Sequence, residues 1–167
     1  TNSTTGVLMA TVTATPWANG CSGIAQSFTI TAAPQPDLSI VFTAPVAGTV
    51  STGGLTTYTQ TVCSGSSLAA TPATLTPNDG LGKPLFAQVV LTGAANLLNP
   101  AYFPATFEVP WDMLVFNNTL INTTGAPLTV TAVITPYFES NPDNTNGMNS
   151  NECQGTPISF SITVNPA

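Results

Sequence analysis

The chain has 167 residues, and only eight of them carry formal charge, Lys83 against seven carboxylates, for a net charge of −6. With one Lys, no Arg and no His it has no basic surface to neutralise phosphates, which excludes nucleic-acid binding and polybasic attraction to anionic lipid. No apolar run reaches the ~18–20 residues of a membrane-spanning helix, and the abundant Thr, Val, Pro, Gly and Asn favour strands and turns over helices.

In chain order, the first strand signal is the alternation Leu8, Ala10, Val12, and the second is Phe28, Ile30. Period two with apolar residues on one side describes strands that pack on one face and meet water on the other. The tripeptide Pro34-Gln35-Pro36 follows, a short and stiff extended linker. Strand candidates then run over Asp37–Thr43, Thr56–Cys63, Leu85–Thr92, Thr106–Val109 and Leu114–Ile121, with turn chemistry at Gly53-Gly54, Pro77-Asn78-Asp79-Gly80 and Asn99-Pro100. The clearest strands come last. In Pro127–Pro136, Leu128, Val130, Ala132 and Ile134 share a face; in the final segment Ile158, Phe160, Ile162 and Val164 alternate with Ser159, Ser161 and Thr163.

The chain also repeats itself. Residues 21–34, CSGIAQSFTITAAP, and residues 153–166, CQGTPISFSITVNP, share the pattern C-x-G-x-x-x-S-F-[ST]-I-T-x-x-P at an offset of 132 positions. Upstream, Thr4-Thr5-Gly6 leads to Thr15-Pro16 as Thr123-Thr124-Gly125 leads to Thr135-Pro136. Self-similarity at fixed offset marks an array of like modules. The expected division is 1–35 as the closing strands of one module and 36–167 as a complete one. About seven strands in a module of roughly 130 residues predict an all-β, immunoglobulin-like antiparallel β-sandwich in a tandem array.

Little in the sequence suggests catalysis. The usual general base at neutral pH, His, is absent, and Lys83, the one basic side chain, sits in the turn Gly82-Lys83-Pro84. The chain is read as not an enzyme and as needing no cofactor. The loop 138–152, an insertion of about a dozen residues relative to Trp17–Gly20, holds Glu139, Asp143 and Glu152 among many Asn. Calcium takes such hard oxygen ligands, six to eight at a time. These three carboxylates are therefore the candidate metal ligands, against the plainer reading of a polar surface loop. Tyr102, Phe103, Phe107, Trp111 and Phe116 cluster, either as core or, at Trp111 beside Pro110, as a glycan or protein contact. Sequons stand at Asn2, Asn117 and Asn122.

The segments Gln60-Thr61-Val62-Cys63-Ser64-Gly65, Thr135-Pro136 and Cys153-x-Gly155-Thr156-Pro157-x-x-Phe160-x-Ile162-Thr163-Val164-Asn165-Pro166 resemble the PKD-like or Ig-like repeats of very large secreted Bacteroidetes proteins, including gliding-motility adhesins. The resemblance is strong at both ends of 36–167 and weak over 68–117. It implies a β-sandwich, a place on the outer cell surface, and a spacer or adhesive role with neighbouring repeats as partners. Three cysteines without His fit structural disulfides in an oxidising compartment better than zinc. In an immunoglobulin-like sandwich Cys63 and Cys153 would emerge at the same end and pair, and Cys21, the counterpart of Cys153, would stay unpaired. The leading expectation is a structural repeat of a secreted or surface filament or adhesin. Two others stand beside it: a glycan- or protein-binding module using loop 138–152 or Trp111, and a filament subunit exchanging strands through residues 1–35.

Overall fold

The structure, a computed structural model, describes residues 2–52, 58–98, 105–139, 148 and 152–167. Among these residues fourteen strands run in chain order. β1 (Leu8–Ala14), β2 (Trp17–Ala18), β3 (Cys21–Ser22) and β4 (Gln26–Ala32) precede the linker. After it come β5 (Ser39–Ala44), β6 (Gly48–Ser51), β7 (Tyr58–Cys63), β8 (Ser66–Ala73) and β9 (Leu85–Gly93). The last five are β10 (Thr106–Pro110), β11 (Phe116–Leu120), β12 (Leu128–Phe138), β13 (Cys153–Gln154) and β14 (Ile158–Asn165). The only helical pieces among the described residues are 3-10 turns at Ala95–Leu97 and Trp111–Met113, and no helix is long and apolar enough to cross a membrane. The all-β expectation from period-two patterning holds.

Residues 39–165 form two main sheets. One has the order β10-β9-β12-β14-β7, with β13 added on β12; the other has the order β11-β8-β5-β6. Their inward positions make a single apolar core. Ile40, Phe42, Leu68 and Leu120 come from the four-stranded sheet, and Val89, Val130, Ile134, Phe160, Ile162 and Val164 from the larger one. Aromatic rings join the two sheets. Phe160 of β14 takes edge-on contacts from Phe42 (centroids 5.0 Å apart) and Phe116 (5.3 Å), and Phe42 stacks on Tyr58 at 3.7 Å. Edge-to-face and stacked pairs of this kind add to the burial of their area. Tyr58 donates its hydroxyl to Val46 O at 2.7 Å, so its polar tip is satisfied.

Two sequence expectations need correction. The described part of 36–167 holds ten strands, not about seven. β6 and β8 carried too little apolar alternation to be seen: β8 reads SSLAATPA, and only Leu68 and Ala70 point into the core. Its Pro72 would argue against a central strand, because proline has no N–H for a ladder. It is tolerated because β11 pairs β8 only as far as Ala70, leaving Pro72 with β5 alone. The second correction concerns direction. β7 lies parallel to β14, Tyr58 opposite Phe160 and Cys63 opposite Asn165, in an otherwise antiparallel arrangement.

The chain meets the larger sheet at one end and leaves at the other. Gly155 lies so close to the linker that an added Cβ would stand 2.3 Å from Pro36 O and 2.9 Å from Pro136 Cγ. The chain thus comes in beside the Pro136–Gly155 end, where Gly155 N–H donates to Pro136 O at 2.8 Å. It runs out past Asn165, at the opposite end of β14, where Leu128 pairs with Val164. Pro34 and Pro36 are both buried, so the linker is packed as well as stiff.

The hairpin of β1 and β4 stands apart from this core. Its seven residue pairs, from Leu8 opposite Ala32 to Ala14 opposite Gln26, reproduce the β12–β14 pairs from Leu128 opposite Val164 to Ile134 opposite Ile158. Trp17–Ser22 and Ala18–Cys21 likewise match Tyr137–Gln154 and Phe138–Cys153. The turn bond Gly23 N–H to Pro16 O, 2.8 Å, matches that of Gly155 to Pro136. Every residue of β1 through β4 is exposed.

Candidate functional site

Where each pair of strands begins, an asparagine clips it shut. Asn122 Nδ2 donates to Ala126 O (2.9 Å) and Val164 O (2.8 Å), while its Oδ1 accepts from the N–H (2.9 Å) and hydroxyl (2.8 Å) of Thr124. Asn2 makes the same four bonds with Gly6 O, Ala32 O and Thr4, at 2.7 to 3.0 Å. Both asparagines are buried, at 4% and 2% exposure. The N-x-T spelling at these positions is thus a fold device: the Thr two residues on is the clip's own partner, and the amide nitrogen that a glycan would need is committed. The clip also fixes the alignment of the two copies. Asn2 matches Asn122 and Leu8 matches Leu128, an offset of 120, so Thr4 matches Thr124 and not Thr123. Asn117 is exposed on β11.

Two of the three expected metal ligands fall at an acidic corner. Glu139 follows β12 and Glu152 precedes β13, both buried, at 1% and 7% exposure. Asp143 lies outside the described residues. The strands add a carboxylate that no sequence motif marked, Glu108 of β10. It stands opposite Gln88 in the β9–β10 register and accepts from Gln88 Nε2 at 2.9 Å, from Met148 N at 2.7 Å and from the Tyr137 hydroxyl at 3.2 Å. Burial, then the nearby charges of Glu108, Glu139 and Glu152, push the Tyr137 phenol well above the ordinary tyrosine range. Among the described residues, no three acidic or cysteine side chains converge closely enough to hold a metal ion.

The structure does not bring Cys63 and Cys153 together. All three cysteines are exposed free thiols. Cys63 sits beside Asn165 at the far end of β14, and Cys153 beside Phe138 at the near end. A strand rise of ~3.3 Å per residue puts upwards of about 25 Å between them. The physical reason is the parallel β7–β14 pairing, which sends the end of β7 away from β13. Cys21 occupies on the hairpin the place that Cys153 occupies on β12.

Trp111 is half-buried and packs against the core, as do Phe107 and Val109. Phe116 is core outright. These aromatics therefore offer no exposed stacking platform, while Tyr102 and Phe103 lie outside the described residues. Lys83 donates its backbone N–H to Asp79 Oδ1 at 2.9 Å, in a turn that Asp79 also ties to Leu81.

At the joint between the hairpin and the rest, an open cleft of about 450 Å³ is lined by Ser3, Thr4, Gln35, Asp37, Thr76 and Thr156, among others. Asp37 is bound by its own neighbours there: its carboxylate accepts from Leu75 N at 3.2 Å and from the hydroxyls of Thr74 and Thr76. These bonds brace the start of β5. Comparison with protein-family models, with curated proteins and with solved structures finds no match to this chain.

Proposed function

We propose that the chain is a stretch of an extracellular tandem array, in which residues 36–167 form an immunoglobulin-like sandwich that serves as a stiff, load-bearing spacer in a secreted or surface-displayed filament or adhesin. The observation that carries this reading is the placement of the two ends of the unit. The chain comes in beside Gly155 and leaves beyond Asn165, so units joined through such ends extend in line. β5 begins beside the linker and β14 finishes at the far end, so tension drags them in opposite directions along their ladders. Six β7–β14 pairs and seven β12–β14 pairs then resist together. The two buried prolines of the linker limit bending at the joint.

Single-molecule pulling tests this. Tension applied through handles at residues 36 and 167 is expected to meet markedly more resistance than tension through handles at Ser64 and Ala167, which opens the β7–β14 ladder one pair at a time. Equal forces along both directions would remove the spacer reading.

A further inference from the structure

The β1–β4 hairpin carries an apolar face that nothing among the described residues covers. Register puts Leu8, Ala10, Val12, Phe28 and Ile30 on one side, and Leu8, Val12, Phe28 and Ile30 are 48%, 38%, 56% and 53% exposed. The matching positions on β12 and β14 lie against the four-stranded sheet, with Val130, Ala132, Phe160 and Ile162 wholly buried. The edges differ in the same way. β9 takes the free edge of β12 and β7 that of β14, whereas, among the described residues, β1 and β4 pair only with each other. A lone two-stranded ribbon is marginal in water, and a bare apolar face with two open edges is a docking surface or an aggregation hazard.

We propose that this face docks a sheet unit with the chemistry of residues 36–121, carried in the same polypeptide directly ahead of Asn2, which closes on the hairpin as residues 36–121 close on β12 and β14. The proposal deepens the array reading and rests on it. Its warrant is the internal copy. Seven ladder pairs, the four-bond asparagine clip and the Gly-to-Pro turn bond are the same in the covered and the bare ribbon. The connection follows from the clip: Ile121 runs straight into Asn122, so a like unit feeding Asn2 needs no linker.

Two other occupants fit less well. Two hairpins face to face would hide Phe28 but leave four strand edges open. A second copy would have to surrender its own β12 and β14, whose Ile134 and Ile158 are buried where the hairpin offers Ala14 and Gln26, so exchange gives up apolar burial.

The test fuses a second copy of residues 36–121 directly to Asn2 of the full chain and reads hydrogen exchange strand by strand. The expected result is that β1 and β4 amides exchange at least roughly tenfold more slowly than in the parent chain, as local opening becomes costlier. Phe28→Asp should return them to the parent rate, and Thr11→Asp, on the opposite face, should leave them slow. Exchange in the fusion as fast as in the parent overturns the proposal. Protection that appears in the parent chain itself, rises with its concentration and is lost in Phe28→Asp overturns it in favour of a second copy. Neither outcome bears on the pulling forces of residues 36–167, so the spacer reading stands or falls separately.

Discussion

Replacing Phe160 with Ala is expected to cost about 3–5 kcal/mol, while the same change at Phe28 leaves the unfolding free energy of the chain, read by urea titration, within about 0.5 kcal/mol of the parent. The two phenylalanines hold the same place in the same repeated motif and the same ladder register, opposite Ala132 and Val12. What differs is the cover. Phe160 is wholly buried between Phe42 and Phe116, so truncation leaves a cavity walled by both sheets as well as losing the transfer energy of the ring. Phe28 is more than half exposed and has no facing sheet among the described residues. Against a total stability of ~5–15 kcal/mol for an ordinary domain, the first change is severe. Equal losses at both positions would mean that the hairpin shares the core, contrary to the arrangement described above.

Asn122→Ala is expected to cost about 3 kcal/mol, since it strips hydrogen bonds from the buried Val164 carbonyl and from Ala126 and Thr124 at once. The cost exceeds that of an average hydrogen bond because the abandoned groups sit where the chain turns into β12, against the end of β14. Asn2→Ala removes the same four bonds, but all of them lie within residues 2–32, outside the core. Its effect on the main transition is expected to stay within about 0.5 kcal/mol. Circular dichroism in a urea titration reads both. A shallow loss at Asn122 would contradict the clip.

The parts of this structure that depend on local pattern were legible in the sequence. Alternation placed β1, β4, β12 and β14, turn chemistry bounded β9, and self-similarity matched the segments that form the two ribbons. Pro34-Gln35-Pro36 was legible as a break between strands, because proline has no N–H for a ladder. What escaped is non-local. β8 takes its apolar face from Leu68 and Ala70 alone, a signal too thin to separate from a loop. The direction of β7 relative to β14 is decided by which strands lie between them in space, and a wrong direction carried Cys63 to the wrong end. Glu108 joined Glu139 and Glu152 only through the β9–β10 and β9–β12 registers, 31 and 44 residues away in sequence. The Asn clips were spelled out in full but in letters that also spell a sequon. The missing discriminator was their recurrence at the 120-residue offset that also relates β1 to β12.

Hydrogen exchange on the unaltered chain tests most directly the claim at the centre of this account, that residues 2–32 and 122–164 are one structural half, bare in the first case and covered in the second. The paired amides of β12 and β14 are predicted to exchange only through global unfolding, and those of β1 and β4, in identical register, to exchange orders of magnitude faster through local opening. Equal protection in the two ribbons would contradict it.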